Sequence, residues 1–266
     1  MERSLGLICG SGVLPARMAG EARRQGWRVV AFTFGEVPGV SAHADRTIPS
    51  RLDEVAVVLA TLAQERLGAV LFSGKFSAQD YLRGDTPDAA LAAIEREAGA
   101  VVDTKILQAV IAMLGRMGLE LLDQRPFLGD WLGGGGSWTA RAPTDGEWAD
   151  VQRGLGVARL MADAGVGQTV VVKRGAVVAV EAVEGTTEAI RRGITAGGAG
   201  AVVVKATARD HDYRFDMPTI GPETIEIAAA GAASVVALEA GRVLILDRER
   251  CVQIADRAGM AVVGVE

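Results

Sequence analysis

Leu5–Pro15, LGLICGSGVLP, is a short apolar run ended by Gly10, Ser11 and Gly12, after which Leu14, Met18 and Ala22 fall at helical spacing. An unbroken apolar run, a glycine turn and a 3.6-residue period read as buried strand, tight loop and helix. The alternation then repeats, with Arg28–Phe34 as a strand, Asp53–Glu65 as a helix capped by Ser50 or Asp53, and Ala69–Phe72 as a strand. Such an order predicts a parallel sheet covered by helices. Pro87 starts a further helix to about Ala98, and Asp103 caps the next. That helix lies within Val101–Met117, with Ile106, Val110 and Leu114 on its apolar face, and Glu120–Leu122 is a further strand.

From Phe127 to Trp148 the periodicity fails, and Gly133–Gly136 stand among Trp131, Trp138 and Trp148. A domain junction is placed here. The tryptophans suit a domain interface, or a surface that meets acyl chains. Beyond it, a helix from about Glu147 to Ala164 precedes a hairpin, Gln168–Val172 and Ala176–Ala182 about a turn at Lys173–Gly175. Thr186–Ile194 and Pro222–Ala230 read as helices, with Ala201–Val204 as the strand between them. Ser234–Leu238, Arg242–Leu246, a helix Arg248–Ala258 and Ala261–Val265 close the chain. The fold class is α/β in two α/β domains: an N-terminal Rossmann-like parallel sheet over 1–130 and a C-terminal mixed-sheet domain over 147–266. A Gly/Trp-rich linker, 131–146, joins them.

The chain has 266 residues, enough for one large or two modest cores, and 49% of them are apolar. Its net charge is −5 and it has no long basic run, which argues against a nucleic-acid partner. Cys9 and Cys251 stand far apart in apolar stretches, as reduced thiols of a cytoplasmic protein do. No zinc spacing, signal peptide or spanning segment is read, so any membrane contact is peripheral.

Candidate chemistry lies where strands end. Gly10–Leu14 resembles the start of a dinucleotide fingerprint, with Pro15 in place of the third glycine and Glu36 at about the expected distance downstream. Phosphate contact and simple close packing are both open there. Ser73–Asp80, containing Gly74 and Lys75, follows a strand where a sheet presents ligand groups. In the second half, Asp216 stands in Arg214–Gly221, RFDMPTIG, ahead of a helix that Thr219 or Gly221 can cap. Glu181 and Lys205 end strands, and Glu184–Thr187 turns into a helix. Mg²⁺ takes one or two carboxylates and keeps waters and phosphates elsewhere, so Asp216 with Glu181 or Glu184 is a candidate ligand pair. Lys205 and Thr186 are candidates for phosphate oxygens. His43 and His211 lie in polar loops and are left out of the chemistry.

These residues resemble a known family. Leu5–Pro15, Gln168–Thr186 (QTVVVKRGAVVAVEAVEGT), Lys205 after its strand and Arg214–Gly221 look like the LpxI-type UDP-2,3-diacylglucosamine hydrolases, over almost the whole chain. The resemblance implies a cytoplasmic, Mg²⁺-dependent pyrophosphatase of lipid A biosynthesis. Such an enzyme releases UMP and 2,3-diacylglucosamine 1-phosphate from a substrate held between the two domains. It implies that Asp216 is the essential aspartate. On the residues' own chemistry Asp216 and Lys205 are expected to be catalytic, Asp216 and Glu181 to meet the metal, and Gly10, Gly12, Val13, Leu14, Gly74, Lys75, Gln168, Thr186 and Thr219 to meet the substrate. Peripheral contact with the inner face of the membrane and homodimerisation are both compatible with it. Two other readings compete: a non-catalytic nucleotide-sugar or lipid-binding protein of the same fold, and an NAD(P)-dependent oxidoreductase resting on Gly10, Gly12 and Glu36.

Overall fold

The computed structural model describes residues 3–76, 89–98 and 104–266. Ser77–Asp80, the helix start at Pro87 and the cap at Asp103 lie outside the described residues. Packing divides the chain into a first unit, Met1–Gly129 with Asp212–Met217, and a second, Asp130–His211 with Pro218–Glu266.

The first unit is built on β1 (Ser4–Cys9), β2 (Arg28–Thr33), β3 (Arg46–Pro49), β4 (Ala69–Ser73) and β5 (Glu120–Leu121). They form one sheet in the order β3-β2-β1-β4-β5, parallel throughout. The helices are α1 (Leu14–Arg24), α2 (Val55–Gln64), α3 (Ala89–Ala98) and α4 (Thr104–Arg116). A core of Val30, Phe32, Leu62, Val70 and Leu114 forms against one sheet face, with Phe72 and Phe215 half-buried at its margin. Because β1 lies between β2 and β4, its carboxyl end is the topological switch point, where α/β sheets open a crevice.

The second unit contains β6 (Gly136–Ser137), α5 (Asp145–Asp163), β7 (Thr169–Lys173), β8 (Ala176–Val180), α6 (Thr186–Gly197) and β9 (Val202–Lys205). After β10 (Thr219–Ile220) come α7 (Pro222–Ala230), β11 (Val235–Glu239), β12 (Leu244–Ile245), α8 (Arg248–Arg257) and β13 (Ala261–Val265). The main sheet is mixed, in the order β6-β13-β11-β9-β7-β8, with β9, β11 and β13 parallel and the outer strands antiparallel to their neighbours. Alternation sorts the valines onto its two faces. Val171, Val203 and Val236 pack with Ile190, Ile225 and Cys251, while Val170, Val172, Val202 and Val204 pack with Val151 and Leu155 of α5. The Gly/Trp-rich stretch supplies β6, which pairs with Val263 and Gly264 of β13. A Cβ on Gly264 would collide with the Gly134 carbonyl, so glycines here allow backbone on backbone.

Candidate functional site

The carboxyl ends of β8 and β9, the start of β7 and the first turn of α6 meet at one end of the second sheet. This follows from the register: β7 is antiparallel to both neighbours, and Thr169 stands opposite Lys205. Lys205, only 5% exposed, donates from Nζ to Thr186 Oγ1 at 2.8 Å. The Thr186 hydroxyl in turn donates to Glu181 Oε1 at 2.9 Å. Glu181 Oε2 accepts from the Gln168 N–H at 3.3 Å and lies 4.0 Å from Lys205 Nζ. Burial alone would raise the Glu181 carboxyl. The Lys205 charge, the Thr169 and Thr186 hydroxyls and the Gln168 amide outweigh burial and hold it below the ordinary carboxylate range. The result is a connected chain, Lys205 to hydroxyl to carboxylate, with Thr186 also the first residue of α6.

α6 adds to the positive side. Gly185 precedes it at φ +83° and offers no side chain to cap the first-turn N–H groups. An anion is favoured at such a point, and here an ammonium lies within hydrogen-bond reach of the helix's first residue. Glu184, the other acid of this turn, pairs with Arg192. Both Glu181 oxygens accept hydrogen bonds from protein groups, Thr186 and the Gln168 amide.

Asp216 is placed differently from the neighbouring strand ends. The segment Asp212–Met217 packs with the first unit although the chain on either side packs with the second. The Phe215 ring lies 5.5 Å from Phe72 in the first unit. The Gln124 N–H donates to the Tyr213 carbonyl at 3.1 Å, the Arg125 guanidinium stands 4.5 Å from the Tyr213 ring centre, and Arg214 pairs with Asp212 at 2.6 Å. Asp216 itself is exposed. Thr219 is not a helix cap: it opens β10 opposite Leu244, and Gly221 holds the cap position of α7 with Pro222 behind it.

In the glycine loop of the first unit three amides bond within the protein. The Gly10, Ser11 and Gly12 N–H groups donate to the carbonyls of Ser73, Lys75 and Glu36 at 2.8, 2.9 and 3.0 Å. A Cβ on Gly10 would stand 2.5 Å from the Lys75 carbonyl oxygen, and one on Gly74 would stand 2.6 Å from that of Gly10. These glycines let two loops cross at backbone contact, which is the close-packing alternative. Gly12 instead needs its φ of +107° and faces open space. Leu14 is buried in the core, Val13 is 48% exposed and Lys75 is exposed.

Sequence reasoning passed over Glu239, which ends apolar β11 as Lys205 ends β9 and is 3% exposed. The available signal was a lone acid closing an apolar strand. Among the described residues no group of three or more His, Cys, Asp or Glu side chains is arranged to hold a metal. No described helix is long and apolar enough to cross a membrane.

Comparison with known proteins covers both halves. The LpxI N-terminal domain matches residues 4–131 and the LpxI C-terminal domain residues 134–263. The chain is 31% identical over 278 residues to the UDP-2,3-diacylglucosamine pyrophosphatase LpxI of Caulobacter vibrioides, covering 99% of this chain and 98% of that protein. Among solved structures, glycinamide-RNase-transformylase T from Mycobacterium tuberculosis is 16% identical at a TM-score of 0.26, covering 67% of this chain and 44% of that one. N5-carboxyaminoimidazole ribonucleotide synthetase from Thermotoga maritima is 15% identical at 0.27, covering 67% and 41%. This chain thus spans less than half the length of either structure, and likeness at those scores carries no functional weight. Matched in both domains and related along its whole length to a protein of that kind, the chain belongs to the LpxI family.

Proposed function

We propose that the chain is a pyrophosphatase that hydrolyses UDP-2,3-diacylglucosamine to UMP and 2,3-diacylglucosamine 1-phosphate in lipid A biosynthesis. The observation that carries this is the whole-length relationship to the Caulobacter pyrophosphatase, joined to a buried lysine hydrogen-bonded to the first residue of an uncapped helix. A diphosphate resists attack because its anionic oxygens repel the nucleophile, so catalysis consists chiefly of neutralisation and alignment. Lys205 supplies the fixed positive charge. The α6 amides supply donors, and Glu181 lies 4.0 Å from Lys205 Nζ and holds the Thr186 hydroxyl turned. Asp216, the exposed acid of the 212–217 segment, accepts hydrogen bonds from the attacking water or holds the metal.

In this reading Mg²⁺ is held by Asp216 and Glu181. An exposed carboxylate with waters and substrate phosphates is an ordinary Mg²⁺ environment, and Glu181, whose oxygens accept from Thr186 and Gln168, would be the second ligand. When bound, the metal supplies positive charge to diphosphate oxygens. The test is UMP release from purified substrate by the full chain, with Mg²⁺ and with EDTA, and with Asp216→Ala beside it. Release with Mg²⁺, loss with EDTA and loss of about a hundredfold or more in a folded Asp216→Ala variant are expected. No UMP from the wild type overturns the reaction; undiminished turnover by the variant overturns the assignment of Asp216.

A further inference from the structure

Gly167, Gln168 and Thr169 lead into β7 and each meets Glu181, all within the second unit. The Gln168 N–H donates to Glu181 Oε2 at 3.3 Å, and the Thr169 carbonyl accepts from the Glu181 N–H at 2.8 Å. Gly167 lies against the Glu181 main chain. A Cβ built on it would stand 2.2 Å from the Glu181 carbonyl oxygen, 2.6 Å from the carbonyl carbon and 3.0 Å from Glu181 Cβ. That is about 1 Å closer than ordinary contact allows, and the atoms in the way are main chain, which cannot swing aside.

The turn after α5 does not ask for this glycine. Gly167 has no left-handed φ, whereas Gly165 has a φ of +70° and ends the helix. There the Val166 N–H donates to the Met161 carbonyl and the Gly165 N–H to that of Ala162, a complete glycine cap. What Gly167 provides is room for Glu181. A second hold on the same stretch comes from α6: Arg192 Nη2 donates to the Val180 carbonyl, just before Glu181, at 2.7 Å, and pairs with Glu184 just after it.

The consequence of crowding residue 167 falls on Glu181 and not on Lys205. β9 is an internal strand between β7 and β11. Beyond Lys205 the Ala206 N–H donates to the Gln168 carbonyl at 2.9 Å, and the Thr207 N–H and hydroxyl donate to Glu239 at 2.8 and 3.0 Å. β8 is the edge of the sheet and Glu181 follows its last residue, so that side yields. Glu181 holds the Thr186 hydroxyl at 2.9 Å, and the same oxygen accepts from Lys205 at 2.8 Å. A shift of about 1 Å takes the Thr186–Glu181 pair beyond hydrogen-bond length and frees the hydroxyl to turn. We infer that Gly167 and Arg192 are positioning residues for Glu181, and through it for Thr186 and Lys205; this rests on the hydrolase reading and on the part those residues play in it.

Gly167→Ala tests it in the full chain with UDP-2,3-diacylglucosamine. kcat is expected to fall about tenfold to a hundredfold with KM held within about threefold, the pattern of an aligned group misplaced by about 1 Å. Gly264→Ala is the control for a main-chain clash as such, because a Cβ there meets the Gly134 carbonyl oxygen at 1.9 Å, where β13 adjoins β6 on the far side of the sheet from β8. It is expected to lower the thermal midpoint and to keep kcat within about threefold of wild type. The Gly167→Ala/Glu181→Gln double variant is expected to lose no more than Glu181→Gln alone, because the first change acts through the second residue. Arg192→Met, which removes the hold on Val180 from the surface, is expected to lower kcat less and in the same direction. Wild-type kcat in folded Gly167→Ala, an equal change in KM, additive losses in the double variant, or an equal loss of kcat in Gly264→Ala overturns the proposal. If circular dichroism shows Gly167→Ala unfolded, Arg192→Met decides by the same criteria, alone and combined with Glu181→Gln. An inactive wild type overturns the hydrolase reading and this proposal together, and a fully active Glu181→Gln overturns the part of Glu181 and this proposal with it. A weakened Glu181→Gln beside a normal Gly167→Ala overturns this proposal alone.

Discussion

Lys205 has three N–H donors and a nearly dry position, and its one hydroxyl partner, Thr186, is itself tied to a carboxylate. Each member constrains the next: the ammonium can only donate, so the Thr186 oxygen accepts from it and its proton must go to Glu181. Lys205→Met keeps the stem and deletes the charge, and is expected to lower kcat/KM about a hundredfold to a thousandfold, the usual cost of losing one aligned electrostatic donor. Turnover with purified substrate checks it, and a loss under about threefold would remove Lys205 from the chemistry. The first unit's glycines make the opposite kind of claim. Gly10→Ala would drive a methyl against the Lys75 main chain, so it is expected to lower stability by about 1–3 kcal/mol whether or not ligand is present. Thermal unfolding of the variant measures this. An unchanged midpoint would mean that Gly10 is there for a ligand instead.

At the scale of elements, most strands and helices of both sheets follow from apolar runs and helical periods, and the parallel order of the first sheet follows from their alternation; β3, an edge strand of Arg46–Pro49 with little burial, has no such run and was not read. β6 was not legible, because a strand made by Gly136 and Ser137 shows no apolar pattern and owes its place to contact with Gly264. The glycine loop looked like a ligand cradle for the same reason: sequence shows that the backbone can come close, not what it comes close to. Lys205, Thr186 and Glu181 could be gathered in advance because each ends a strand or starts a helix, whereas Glu239 needed the fold to reveal what it holds. α5 is an element whose start was readable only in part. Thr144 caps it and Glu147 completes a capping box, while Arg141 grips the same carboxylate at 2.6 and 2.7 Å. Burial would raise the Glu147 carboxyl, but the Thr144 N–H, the Ser234 and Thr144 hydroxyls and Arg141 bring it down to about 2 from 4.5. A carboxyl depressed in the folded state stabilises fully above its unfolded value and loses that contribution as pH falls from about 4.5 toward about 2. Glu147→Gln is therefore expected to cost about 1–2 kcal/mol near pH 7 and progressively less below about pH 4.5. Urea unfolding of both proteins across that range measures the difference, and a gap that stays constant into acid would mean that the charge does not matter.

For the molecule as a whole, the feature that sequence could not show is that chain order and packing part company at Asp212–Met217. A local reading assigns Asp216 to the domain of its neighbours, since the strand before it and the helix after it belong there. Tyr213 and Phe215 are the residues that decide otherwise, because their rings find partners in Arg125 and Phe72. Phe215 thus belongs by sequence to one half and by burial to the other, and this gives a test of the division itself. Truncating a half-buried phenylalanine costs less than the 3–5 kcal/mol typical of a fully buried one, or about 1–3 kcal/mol here. In Phe215→Ala the loss should fall on the core that the ring joins. Amide exchange in β1 and β4 is expected to quicken about tenfold to a hundredfold, at about tenfold per 1.4 kcal/mol, while β9, β11 and β13 keep their protection. The two outcomes separate cleanly by mass spectrometry of exchanged peptides. If β9 and β11 lose protection while β1 and β4 do not, Phe215 stabilises the unit of its sequence neighbours, and the assignment of 212–217 to the first unit is wrong. If only β1 and β4 respond, the segment bearing Asp216 is anchored in the first core, and changes to that core are expected to alter turnover without touching Lys205.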